Sequence, residues 1–144
     1  DAINPDIITQ LEKNFRESAA QVKKFSKHFD GGDVNTTAEN VWHFLKENVQ
    51  YKADGSRQKI KYPSRLIADA VGDCKSFSLF AASVLSHYAP VAFRYVSYNP
   101  GQRTPSHVYV MVKLESGKWI PVDAVWNEYG TEKNFSHKRN ESIF

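Results

Sequence analysis

The sequence predicts an α+β domain in which helices come first and an antiparallel sheet follows. Apolar residues recur at helical spacing in three long segments before residue 90. The third of these, about 74–88, is apolar or small almost all the way round, which places it in the middle of a domain. After Pro90 the apolar period changes to that of strands. Helices followed by strands, rather than alternating with them, argue for α+β.

The first segment, 5–29, reads as one amphipathic helix. Ile7, Leu11, Phe15, Val22, Phe25 and Phe29 form its stripe, Pro5 starts it and Asp30-Gly31-Gly32-Asp33 ends it. That stripe either covers the core or docks on a neighbouring part of a longer parent chain. A second helix spans about 36–50, with Thr36 and Glu39 at capping-box spacing and Val41, Phe44, Leu45 and Val49 buried. Tyr51–Tyr62 is polar and reads as a loop, and Pro63 begins a short helical turn to about Ala70. Asp73 is a good N-cap for the third long helix, which puts Cys74 in its first turn. Strands are expected at Val91–Tyr98, His107–Leu114 and Trp119–Trp126, with an irregular polar tail from Asn127. The expected organisation is a single domain, 1–144, with an N-terminal helical extension (1–32), a core (33–127) and a polar C-terminal tail (128–144).

Composition narrows the function classes. The chain has 144 residues, 41% hydrophobic and 24% charged, which is globular rather than disordered. A net charge of +3 without a long basic run gives no indication of nucleic-acid binding. No apolar run approaches the roughly 20 residues that span a bilayer, and no membrane partner is expected. One cysteine excludes an internal disulfide and any multi-cysteine zinc site. Calcium-type acidic clusters are absent, so neither metal nor cofactor is expected. The compartment stays open. A lone cysteine fits a reducing one, and cytoplasmic or virion-associated settings are both compatible. The chain begins at Asp1 rather than Met, which leaves room for a longer parent.

Cys74 is the residue on which chemistry is expected. A helix N-terminus favours a thiolate, because free N–H groups and the helix dipole stabilise negative charge. The competing reading is a small buried core residue, which fits mid-helix better than Gly-Asp-Cys at a helix start. A thiolate needs a base, and five histidines are available. His28, His43, His87 and His137 read as surface or structural residues. His107 opens a strand directly after a loop, where sites are commonly built. Asp123 stands in the apolar run Trp119–Trp126 and needs a partner if buried.

Hairpin geometry connects the last two. If Glu115–Gly117 is a three-residue loop with Gly117 left-handed, Leu114 pairs with Lys118 and Tyr109 faces Asp123. His107 and Asp123 are then diagonal neighbours on one face. A two-residue turn at Ser116-Gly117 would slip the register by one and put them on opposite faces. In the first case His107 takes the thiol proton, Asp123 orients the imidazole, and Cys74 attacks a carbonyl carbon.

The residues also resemble a known family. PSRLIADAVGDC with the following KSFSLFAASVL, then VAFRYVSYN, then HVYVMVKLESGKWIPVDAV are similar to the transglutaminase-like superfamily of papain-fold enzymes. The resemblance covers about residues 36–127 and is closer to compact bacterial and phage-borne members than to animal enzymes. It implies a papain-like core, with the cysteine helix packed on an antiparallel sheet. It also implies thiol acyl-transfer chemistry, with catalytic positions at Cys74, His107 and Asp123. Gln58 is similar in place to the glutamine that donates to the oxyanion in papain-like enzymes. Tyr109 stands where many relatives have Trp and is carried as a substrate or cleft-wall residue beside Trp126. Lys75 stands where calcium-dependent crosslinking enzymes have Trp, which favours a peptidase or amidase over a crosslinker. Arg103, in the loop 99–106, is a candidate rim residue.

The expected function is therefore a cysteine peptidase or amidase acting on a protein or peptide through a thioester. Two alternatives stand beside it: an amine-accepting transglutaminase using the same residues, and a non-catalytic module that keeps the fold.

Overall fold

The computed structural model describes residues 2–53 and 59–143. Asn4 caps helix α1 (Pro5–Gln21), its side chain accepting the Ile7 N–H at 2.9 Å. The single helix expected to Phe29 ends early. A separate 3-10 helix, Phe25–Phe29, follows a turn at residues 22–24. Steps of three and four fit both helix types. The tighter winding accompanies packing of Phe25 and Phe29 against Phe80 and Phe44, with ring centroids 5.3–6.2 Å apart.

Helix α2 (Val34–Asn48) begins two residues before the expected start. Asp33 is its N-cap, accepting the Thr36 N–H at 2.6 Å. The Val34 N–H is taken at 2.9 Å by Glu115, from the hairpin turn 81 residues away. A tertiary contact thus helps to set this helix start, and Glu39 pairs with His43 instead of closing a capping box.

Strand β1 (Gln50–Tyr51) lies where the second helix was expected to end and a loop to begin. It pairs in parallel with β2 (Val71–Gly72), which follows α3 (Pro63–Asp69) and the left-handed cap residue Ala70. Two backbone bonds of 2.9 Å hold the pair, Gln50 N–H to Ala70 and Lys52 N–H to Gly72. Gly72 lets the buried Leu66 side chain approach closely, since a Cβ on it would fall 2.4 Å from Leu66 Cδ1 and displace it. This pairing carries Tyr51 to the start of α4 (Cys74–Leu85).

Helix α4 is buried along its whole length, as its composition predicts, and stops at Leu85 rather than 88. It packs against α1, α2, α3 and one face of a four-stranded antiparallel sheet. The sheet order is β5 (Trp119–Val122), β4 (His107–Lys113), β3 (Val91–Ser97), β6 (His137–Ile143). Val108, Val110, Val112 and Phe93 face the helices, whereas Tyr109, Met111, Ala92 and Val96 form a second apolar cluster on the far face. The apolar stripe of α1 is used inside this core, where Leu11 and Phe15 are buried. No helix among the described residues is long and apolar enough to cross a membrane.

The C-terminal tail is irregular, as expected, only through Ser136. Residues 137–143 form β6, paired with β3 from Ser97↔His137 to Val91↔Ile143. The sequence HKRNESI has no apolar alternation, because an edge strand is held by backbone bonds and keeps polar side chains. β5 is also shorter than expected, since Asp123 leaves the strand to start a turn. Its side chain accepts the Val125 N–H at 3.1 Å and its carbonyl the Trp126 N–H at 3.1 Å.

Candidate functional site

The hairpin between β4 and β5 has the three-residue loop. Leu114 and Lys118 pair through a 2.8 Å backbone bond, and Gly117 has φ +92°. The register Val110↔Val122 extends in phase to put Tyr109 opposite Asp123. His107 and Asp123 therefore share a face. His107 Nε2 lies 2.9 Å from Asp123 Oδ2, both side chains being buried.

Cys74 comes to this pair from the other side of the core. Asp73 caps α4, accepting the N–H groups of Lys75 at 3.0 Å and Ser76 at 3.4 Å through Oδ1. Its other oxygen takes the Lys75 ammonium, and both residues are buried. The one charged residue of the central helix thus neutralises the acid next to the cysteine. One turn on, Ser78 Oγ donates to the Val108 carbonyl at 3.0 Å, tying the helix that carries Cys74 to the strand that carries His107. Cys74 is free and buried, and its thiol acts on the His107 imidazole through hydrogen bonding and charge. With Nε2 engaged by Asp123, Nδ1 is the ring nitrogen left for the sulfur.

The electrostatics follow from this geometry. Burial works against a charged His107. Hydrogen bonds to Asp123 and Cys74, and the negative charge on both, outweigh it and hold the imidazole pKa up, to about 10. Tyr51 is pushed up to about 12, first by burial and then by the charges of Cys74, Asp73 and Asp123, so its hydroxyl stays protonated. Tyr98, in ring contact with His107 at 6.1 Å, is shifted up mainly by burial.

His107 and Asp123 open onto a cleft of about 270 Å³ walled by Tyr51, Tyr98 and Trp126, with Lys133 at its rim. The Lys133 ammonium stands 4.4 Å from the centre of the Tyr98 ring. Trp126 lies at the cleft wall as expected, its indole donating to Thr131 at 3.1 Å. Tyr109 does not line the cleft. It is buried on the far sheet face, its ring centroid 5.6 Å from that of His107 and its hydroxyl bonded to Glu132. Glu132 is held in turn by Arg94 at 3.0 Å. Arg103 is also elsewhere, in a separate hollow beside Ile3, Ile8 and Tyr95. Gln58 lies outside the described residues. The other histidines have local partners: His43 has Glu39, His87 the Ala19 carbonyl, His137 the Pro100 carbonyl, and His28 the Phe25 ring. Among the described residues no group of three or more His, Cys, Asp or Glu is placed to share a metal ion.

Several residues at the site are invisible to periodicity. Trp42 on α2 sends its indole N–H to the Asp123 carbonyl at 2.8 Å. Tyr51, Tyr98 and Lys133 reach the cleft from three separate segments. Only Trp42, a bulky residue beside an already complete apolar stripe, carried a signal that could have singled it out.

The family model of the transglutaminase-like superfamily matches residues 19–124. The chain belongs to the transglutaminase-like superfamily. The match starts in the last turn of α1 and ends just after Asp123, so it includes all three clustered residues. Solved structures agree on this superfamily fold. A candidate protease from Parabacteroides distasonis superposes with TM-score 0.66 at 13% identity, over 82% of this chain and 26% of that one. A candidate cysteine protease from Cytophaga hutchinsonii gives 0.60 at 20% identity, over 84% and 42%. A TGase gives 0.52 at 13% identity, over 91% and 35%. This chain therefore spans less than half the length of each of these structures. No curated protein matches the sequence at a significant level.

Proposed function

We propose that this protein cleaves amide bonds of a peptide or protein through a thioester on Cys74. The observation that carries the reading is the buried 2.9 Å pair of His107 and Asp123, with Cys74 acting on the same imidazole. Two of the similar solved structures bear the name of a candidate protease, which supports hydrolysis as the simplest outcome.

The steps follow from the atoms available. The Cys74 proton passes to His107 Nδ1, and Asp123 stabilises the imidazolium through Nε2–H. The thiolate attacks the amide carbonyl carbon. The Cys74 N–H, which the Asp73 side chain does not take, is the backbone donor for the negative charge that develops on the carbonyl oxygen. The C–N bond then breaks, and His107 returns the proton to the departing amine. Water attacks the thioester with His107 as base, releasing a carboxylate and regenerating the thiol. An amine in place of water would complete a transfer instead.

The test is pseudo-first-order alkylation of Cys74 by iodoacetamide across pH. A thiolate populated well below the ordinary value of about 8.5, and lost in His107→Ala, is the expected result. Ordinary thiol reactivity, unchanged by that substitution, would sink the reading. Cys74-dependent incorporation of an amine into a glutamine peptide, without peptide cleavage, would replace hydrolysis with transfer.

A further inference from the structure

The chain between β5 and β6 has to cross the sheet. In the order β5, β4, β3, β6 these two strands are opposite edges, so residues 124–136 pass over both strands between them. They do so on the face away from the helices, where Phe135 packs against the cluster of Ala92, Val96, Tyr109 and Met111. This is also the face of His107 and Asp123. His107 stands two residues from Tyr109 in β4, and the register in phase puts Asp123 opposite Tyr109. The crossing segment is thus a strap laid over the sheet face that bears the His107–Asp123 pair.

One carboxylate pins this strap to the sheet. Glu132 accepts hydrogen bonds from Arg94 Nη1, at 3.0 and 3.1 Å, and from the Tyr109 hydroxyl. Arg94 and Tyr109 are partners across β3 and β4, so Glu132 ties the strap to both central strands at once. The Tyr109 side chain is buried, and a buried hydroxyl needs a partner, which the strap supplies. The Arg94 guanidinium also stands 5.8 Å from the centre of the Phe135 ring, holding the strap at a second point. Lys133, next to Glu132, reaches the rim of the cleft, and Trp126 near the start of the strap forms one of its walls. The Trp126 indole bonds to Thr131, the residue before Glu132.

We propose that Glu132 is a positioning residue for substrate binding. By fixing the strap it sets Trp126 and Lys133 at the cleft, which takes an aromatic side chain of the peptide between Tyr51, Tyr98 and Trp126. Glu132 does not line the cleft and touches no reacting atom. Its loss therefore weakens binding without altering the chemistry at Cys74. The inference rests on Cys74 being the nucleophile of the proposed function.

The test is labelling of Cys74 in the full chain by two reagents. Iodoacetamide reports on the thiolate alone. Acetyl-phenylalanine chloromethyl ketone binds through its ring before the sulfur displaces chloride to form a thioether. Its rate saturates, which separates binding (KI) from bond formation (kinact). In Glu132→Ala, KI is expected to rise about 5- to 10-fold while kinact stays within about 2-fold. The pH profile of iodoacetamide labelling should not move. Glu132→Gln keeps an acceptor for Arg94 and Tyr109 and should recover most of the affinity. The double variant Arg94→Met, Tyr109→Phe leaves Glu132 in place, removes both donors and should reproduce the loss. Where Glu132→Ala fails to fold, the double variant decides.

A merely structural role would lower the melting temperature of these variants and leave KI alone, and that result overturns the inference. A shifted iodoacetamide profile in Glu132→Ala also overturns it, because the effect would then lie on the thiol and imidazole. Labelling by the ketone that never saturates, in a chain whose thiolate is populated early, removes the aromatic cleft and leaves the nucleophile standing. Ordinary thiol reactivity in the unsubstituted chain, unchanged by His107→Ala, removes the nucleophile first and the inference with it.

Discussion

Trp42 and Asp123 are joined by a buried hydrogen bond, the indole N–H donating to the Asp123 carbonyl at 2.8 Å. The bond runs from α2 to the residue after β5, and it fixes the backbone from which the Asp123 carboxylate reaches His107. Trp42→Phe removes the donor and keeps an aromatic ring, though a smaller one, at a buried position. It is expected to cost about 1 kcal/mol of stability and to lower kcat/KM about 10-fold through misplacement of the acid. A purely structural role would lower the melting temperature without moving the pH profile of Cys74 alkylation. A positioning role shifts that profile upward.

The pH behaviour of His107 gives a second prediction. Its folded pKa is raised, to about 10, above the ordinary 6.5. Folding therefore favours its protonated form. The stability that this contributes is complete below pH 6.5 and is lost as pH rises through about 10. Imidazole resonances followed by NMR should titrate far above 6.5 in the native chain. Asp123→Asn and Cys74→Ser should each lower that value, because each removes one of the two partners that outweigh burial.

Lys75 is a buried cation whose partner is the acid beside the cysteine. Lys75→Met leaves Asp73 buried and uncompensated, at a cost of about 3–5 kcal/mol. Chemical denaturation should show most of this recovered in the double variant Asp73→Asn, Lys75→Met, because Asn keeps a capping oxygen for the helix. No recovery in the double variant would show that the lysine acts through something other than Asp73.

The hairpin turn offers a fourth test. Gly117 is left-handed, with open space where a Cβ would stand. Gly117→Ala should lower stability by about 1 kcal/mol and leave kcat/KM nearly unchanged, since the register survives. Deleting Ser116 shortens the loop and shifts the register by one residue. That variant should lose the His107–Asp123 pair and, with it, the dependence of Cys74 alkylation on His107, even if circular dichroism reports an intact sheet.

Local sequence determined the parts of this protein that depend on near neighbours. Asp73 before an apolar run sets the start of α4 and places Cys74 in its first turn. Alternation on both sides of Glu115–Gly117, with a glycine that accepts positive φ, sets the β4–β5 register and so the face shared by His107 and Asp123. Those constraints act within one helix turn or one hairpin, which is why residue spacing is enough to read them. Tertiary structure decided the rest. Tyr51 reaches the cleft because two residues of β1 pair with two of β2, twenty-one positions away. β6 is a strand because β3 offers an unpaired edge, and nothing in its polar side chains says so. Trp42 and Lys133 join the site through contacts with distant elements. Long-range contacts of this kind form only after the chain has closed loops around the core, and they leave no period in the sequence.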